Sequence, residues 1–370
     1  MSAPPPPQVS GLLRRPSTPG VVALLAVVLA LALLPAFVRK PYVLHMGVIL
    51  FLAILQGQAW NIVGGYAGQY SVGHAAYFGV GAYATVMLLE QGGVAPWWGL
   101  GAAMAVAVLL SLVIGSVTFR LRGPYFVLAS ISVAEIIRLA ALHFRGFTRG
   151  AEGFVVSGVP ALNLFGAEIT FLSKRPFYFV TLALAVLSVA VSWSVRRSKL
   201  GYYLLAIRED QDAAHSLGIN LSLYKNVALA ISAALTGLAG GVYAVFTRFI
   251  DPNIAFSLSD VSIQIVLICI IGGIGTIVGP VIGAFVLVPL SEVLRNPRGL
   301  VQVGLLSSGS PAIEFIEQHL SNAHQLVYGV LVVLVILFAP DGVLGVLRRI
   351  AARFHRTLQR PASAAGAPDA

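Results

Sequence analysis

The chain has 370 residues, of which 58% are hydrophobic and only 10% charged. Soluble domains carry about 25% charged residues, so this composition excludes an ordinary soluble fold. The net charge of +10 reads as the Arg and Lys of inside loops rather than a nucleic-acid groove, which would interleave basic residues with aromatics.

Residues 1–20, with Pro4 to Pro7, read as a disordered cytoplasmic tail. The apolar run Val21 to Val38 follows Arg14-Arg15 but is longer than the core of a signal peptide, so it reads as a retained first span. Apolar runs near the roughly 20 residues that cross a bilayer as a helix recur down the chain. Ten spans are expected, over 21–38, 44–62, 71–89, 99–118, 124–142, 176–195, 223–246, 260–275, 279–294 and 323–340. Lipid cannot satisfy exposed backbone groups, and the runs are too long and unbroken for barrel strands. The fold class is therefore an all-α membrane protein of about ten transmembrane helices. One transmembrane domain over 21–345 is followed by a basic cytoplasmic tail over 346–370.

Charge sets the orientation. With both termini in the cytoplasm, the inside takes the larger share of the 24 basic residues and the smaller share of the 14 acids. Arg196-Arg197-Ser198-Lys199 and Arg348-Arg349 sit directly after apolar runs. The longer, more polar connections at 143–175 and 295–322 then lie outside. There Arg145, Arg149, Glu152, Lys174 and Arg175 are either a docking surface or solvated loop charges.

The third, eighth and ninth spans are glycine-rich and read as broken or short. Asn61, Gly65, Gly68, Gln69, Ser71, Gly73 and His74 cluster around one such stretch, and Gly273 and Gly275 occupy another. Glycine lets helices approach closely and unwind, and polar groups at membrane depth face a cavity or a neighbouring helix. These nine residues are the candidate translocation path; the alternative is that the polar ones merely hydrogen-bond between helices. His74 has no second metal ligand at helical spacing. The Gly64–Ala75 and Gly272–Val281 stretches echo each other, as paired transporter halves do, although two glycine-rich spans also match by chance.

The most informative segment is the polar loop over 196–222. From Gly201 to Leu217 it predicts one amphipathic helix at the cytoplasmic face. Leu204, Leu205, Ile207, Ala214 and Leu217 would rest on the spans, and Gly218 would stop it. None of the four lysines follows a glycine, so the chain carries no GxxxxGK[ST] phosphate loop and any ATP-driven movement comes from a partner. In span five, Glu135 and Arg138 share a helix face and can pair. Cys269, alone in an apolar run, excludes an internal disulfide. No nucleophile–base arrangement or HExxH motif supports an enzyme.

Asp212-Ala213-Ala214-x-x-x-Gly218 resembles the EAA-x-x-x-G loop of ABC importer permeases, with Asp in place of Glu and without the Leu-Pro ending. Leu200-Gly201, Ala206 to Glu209, Leu217 to Asn220 and Tyr224-Lys225 are similar to LivM-type branched-chain amino acid permeases. So are Gly64 to Tyr83, Gly272 to Thr276 with Gly279-Pro280, and Ala339-Pro340-Asp341-Gly342. These landmarks run in order from about residue 44 to 345. The resemblance implies a type II-like importer permease fold in a bacterial inner membrane. It implies a paralogous permease as heterodimer partner, two cytoplasmic ATPase subunits, a periplasmic substrate-binding protein, and no cofactor of the chain's own, ATP being used by the partners. Arg208, Glu209, Asp212, Ala213, Ala214 and Gly218 would form the ATPase-coupling loop. The implied substrates are Leu, Ile and Val; urea, short amides and other amino acids fit the same architecture. A stand-alone secondary transporter would need ion-coupling carboxylates deep in its spans, and these are nearly absent.

Overall fold

A computed structural model describes residues 18–38, 40–158, 162–164, 167–169, 171, 173–299, 301, 326, 329–330, 333–334, 337 and 342–345. Most of the tenth expected span (323–340), most of the 295–322 connection and the 346–370 tail lie outside these residues. So does the 1–20 tail, except that α1 (Thr18–Phe37) already begins within it.

The chain continues with α2 (Pro41–Trp60), which runs into a π-helical turn, Asn61–Tyr66. Next come α3 (His74–Glu90), α4 (Pro96–Thr118), α5 (Pro124–His143) and the short α6 (Arg145–Thr148). Proline opens α2, α4 and α5, where its missing N–H costs nothing. After β1 (Phe154–Val155), β2 (Leu162–Leu164) and β3 (Ala167–Ile169) come α7 (Lys174–Arg197), α8 (Lys199–Glu209), α9 (Gln211–Ser216) and α10 (Leu221–Thr247). The described chain then runs through β4 (Phe249–Ile250), α11 (Pro252–Ala255), a second π-helical turn Leu258–Ile263, α12 (Gln264–Gly272) and α13 (Gly279–Arg295).

Among the described residues, six helical segments are long and apolar enough to cross a membrane: 41–66, 96–118, 124–143, 174–197, 221–247 and 252–272. The glycine-rich α3 and α13 are shorter, at 17 residues each. The connection over 143–175, read as a longer polar stretch between spans, contains α6 and strands. β1 pairs antiparallel with β4, and β2 with β3; the rest of the described fold is overwhelmingly helical.

Burial ranks the helices. The α2 segment is 83% buried, whereas α4 and α5 are 22% buried, so α2 is central and α4 and α5 are peripheral. Lipid tails offer little hydrophobic drive between helices, and close contact of small residues supplies the association. α10 shows this on two sides. A Cβ added at Gly240 would collide with the Phe78 carbonyl of α3, and one at Gly237 would stand 2.6 Å from the Ala107 methyl of α4.

Candidate functional site

The site lies where glycine-rich turns interrupt the helical chain twice at the same end of the bundle. α2 unwinds through Asn61–Tyr66 and the chain resumes as α3 at His74; α12 ends at Gly272 and α13 starts at Gly279. Gly68 (φ +66°), Gly273 (φ +120°) and Gly275 (φ +75°) make these turns, in backbone conformations that favour residues without a Cβ.

Broken helices expose backbone groups that a membrane interior cannot hydrate, and side chains meet that need here. The carboxamide of Asn61 spans both interruptions: its Oδ1 accepts from the Gly275 N–H at 2.8 Å, and its Nδ2 donates to the Thr276 carbonyl at 2.9 Å. Gln58 Nε2 donates to the Ile277 carbonyl at 2.6 Å. Trp60 Nε1 donates to the Ser71 carbonyl at 2.7 Å. Val72 N donates to Ser130 Oγ (3.0 Å) and Ala75 N to Ser262 Oγ (2.8 Å). The two stretches that echo each other in sequence thus touch in space.

Over this end lies the polar segment read from sequence, with one correction. A single helix is expected from Gly201 to Leu217, but the chain breaks at Asp210. Asp210 is extended (φ −154°, ψ 116°), and its Oδ1 accepts from the N–H groups of Asp212 and Ala213 at 2.8 and 3.0 Å, the geometry of an N-cap. The result is an elbow, α8 then α9. Leu204, Ile207 and Ala214 are buried as expected. Leu217 is not: it is 82% exposed, because the break turns the end of α9 away from the bundle. Gly218 stops α9 at φ +83°, donating to the His215 carbonyl at 2.9 Å.

The coupling-loop candidates separate by environment. Arg208 is exposed as a residue, but its Nη1 donates to the Gly65 carbonyl at 2.7 Å. Glu209 and Ala213 are exposed and Ala214 is buried. Asp212 pairs with Arg122 of the α4–α5 turn at 2.9 Å, both side chains being largely exposed. Lys225, near the start of α10, is 2% exposed and donates to Gln211 Oε1 at 2.8 Å.

The path candidates gather at the interruptions and are mostly engaged in structure. Gln69 Nε2 donates to the Ala67 carbonyl at 3.2 Å, and Ser71 Oγ accepts from Gly73 N at 3.4 Å. His74 is fully buried, its Nε2 2.9 Å from Ser232 Oγ of α10. Asn61 likewise bonds between helices. Beside them an open groove of about 530 Å³ is lined by Gln69, Tyr70, Pro124, Val127, Leu128 and Gln211. Sequence reasoning missed Gln58, Trp60, Ser130 and Gln211 as parts of this end. Gln58, an amide inside an apolar run three residues before Asn61, was the available signal.

Away from this end, Glu135 and Arg138 form the expected pair at 2.6 Å, and Arg138 Nη1 also bonds Asn253 Oδ1 at 2.8 Å. Arg145, Arg149, Glu152, Lys174 and Arg175 are all exposed.

Helices long and apolar enough to cross a membrane, joined at one end by glycine turns under a polar elbow, are the features of a multi-pass transport permease. The particular family is shown by comparison. Residues 42–337 match the family described as branched-chain amino acid transport system / permease component, and the chain belongs to it. It is 28% identical over 291 residues to the high-affinity branched-chain amino acid transport system permease protein LivM of Escherichia coli (strain K12), covering 72% of this chain and 68% of that protein. It is 27% identical over 228 residues to the autoinducer 2 import system permease protein LsrC of Salmonella paratyphi B, covering 56% and 63%. No solved structure matches.

Proposed function

We propose that this chain is the membrane-spanning permease subunit of an ABC importer that moves branched-chain amino acids across a bacterial inner membrane. Separate ATPase subunits seat on the α8–α9 elbow, a paralogous permease completes the membrane unit, and a periplasmic binding protein delivers substrate. Both termini lie in the cytoplasm, which puts the elbow and Arg120, Arg122, Arg196 and Arg197 on the inside. The elbow carries this reading: an exposed helical turn holding the Asp212–Gly218 motif lies directly over two interrupted helices. The chain has no phosphate-binding loop of its own, so the energy arrives through this surface. Asn61, Gly65, Gly68, Gln69, Ser71, Gly73, His74, Gly273 and Gly275 surround the inner end of the path. Their hydrogen bonds favour a role in shaping and gating it over direct contact with substrate.

The test is reconstitution with the proteins encoded beside it. The complex is purified and its ATP hydrolysis measured with the neighbouring binding protein, with and without leucine, isoleucine, valine and urea. Stimulation by a branched-chain amino acid is the expected result. Stimulation by another solute alone keeps the architecture and replaces the substrate, an outcome that the LsrC relative makes concrete. A chain that brings down no ATPase rejects the reading.

A further inference from the structure

Arg208 is the one elbow side chain that, among the described residues, is hydrogen-bonded to an interrupted helix. The other two polar links of the elbow lead elsewhere: Asp212 goes to Arg122 on the α4–α5 turn, and Gln211 to Lys225 on the continuous helix α10. Arg208 instead leaves the last turn of α8 and meets both interruptions at once. Its Nη1 donates to the Gly65 carbonyl in the unwound end of α2. Its stem lies over Gly68, where an added Cβ would stand 3.1 Å from Arg208 Cγ. The same Nη1 lies against the second interruption, 2.5 Å from where a Cβ on Gly275 would be. Gly275 is tied back to the first interruption through Asn61. One arginine side chain, carried on the elbow, thus fills a notch that two glycines, Gly68 and Gly275, leave open.

We propose that Arg208 is a positioning residue that couples movement of the elbow to the two interrupted helices. The inference rests on the importer reading above. Leu204 and Ile207 anchor α8 in the bundle, but apolar contacts slide with little directional preference. A planar, multiply donating guanidinium fixes direction as well as distance. When α8 shifts, the Gly65 carbonyl must follow or lose its donor, and Gly275 follows through Asn61. Lysine keeps the charge and a donor on a flexible stem but lacks the planar fork, so it preserves the link in part; alanine removes it.

The experiment uses the assembled importer with wild-type, Arg208→Ala and Arg208→Lys chains. Three readouts are compared: ATPase subunits co-purified, ATP hydrolysed, and substrate transported per ATP. In Arg208→Ala, substrate transported per ATP hydrolysed by the complexes that assemble is expected to fall at least tenfold. Arg208→Lys recovers to within about threefold. A purely structural role would lower assembly, hydrolysis and transport together, and that result overturns the proposal. So does unchanged transport per ATP in Arg208→Ala. Gly275→Ala supplies a second route, since its methyl displaces the Arg208 tip. If Arg208 acts through this notch, Gly275→Ala costs less than twofold further in the Arg208→Ala background than it costs alone in wild type. Independent, multiplying losses contradict the coupling. A wild-type chain that captures no ATPase rejects the importer reading itself, and is thereby distinguished from failure of the Arg208 link.

Discussion

Asn61 and Gly275 are 214 residues apart in sequence, yet the carboxamide of one accepts the backbone N–H of the other at 2.8 Å while also donating to Thr276. Asn61 is fully buried and its bond from the Gly275 N–H is enclosed, so that N–H has no water as a substitute. Asn61→Ala strands a donor and an acceptor, each worth about 1–3 kcal/mol when left unmade. The expected outcome is a clear drop in thermal stability of the detergent-solubilised protein. Asn61→Asp, which keeps the acceptor and loses the donor, adds a buried charge beside the Thr276 carbonyl and is at least as damaging. Equal melting temperatures for wild type and Asn61→Ala would show that the two interruptions are not held through this side chain.

Lys225 makes a sharper case because its charge is poorly compensated. It is 2% exposed, accompanied by Gln211 and the Phe119 ring 5.9 Å away, and no carboxylate pairs with it among the described residues. Burying an ammonium is costly unless it is paired with an opposite charge. Lys225→Met is therefore expected to match or exceed wild type in thermal stability. Gln211→Leu leaves the ammonium without its partner and is expected to be destabilising. The reverse order of melting temperatures contradicts this reading.

The elbow offers a built-in control. Ala213 and Leu217 are exposed, whereas Ala214 is 2% exposed against the bundle. Ala213→Glu and Leu217→Asp are expected to leave the isolated chain folded in the membrane and to abolish capture of its ATPase subunits. Ala214→Glu buries a charge and is expected to reduce folded yield itself. Size-exclusion profiles of each variant, alone and co-expressed with the ATPases, separate the two effects; undiminished ATPase capture by Leu217→Asp removes that residue from the docking surface.

The α3–α10 contact tolerates no side chain. Gly240→Leu drives its Cβ into the Phe78 carbonyl, and overpacking of this kind costs about 1–3 kcal/mol or more. Gly101, on α4, has nothing within 4 Å of an added Cβ, and Gly101→Leu is expected to be nearly silent. Comparable yields of the two variants would mean that α3 and α10 can separate without loss.

Much of this was legible in the sequence because the bilayer makes it so. Apolar runs of fixed length announce helices, and the turns after α2 and α12 fall near the expected ends of the second and eighth spans, whereas the third span, expected broken or short, is the short but continuous helix α3. The Asp212–Gly218 motif located the elbow. Periodicity did not show its break, because Asp210 reads as a solvated helix residue until its carboxylate is seen capping α9. The strands were equally hidden: β1 and β4 are two residues each, too short for any alternation to register. Nor did spacing join Asn61 to Gly275, since long-range partners leave no local pattern. The resemblance named the right family, but it did not say that Arg208 bonds the Gly65 carbonyl while Asp212 pairs with Arg122.

α10 deserves a last consideration as a mechanical object. Its 27 residues make a rod about 40 Å long. One end is capped by Asn220 beside the elbow and the other runs directly into β4, which is laced to β1. Pressure on that small ladder, at the face opposite the elbow, has a stiff member to travel along rather than a chain of loops. Arrival of a load on one surface of the membrane can therefore be felt on the other without any signal passing through the interrupted helices.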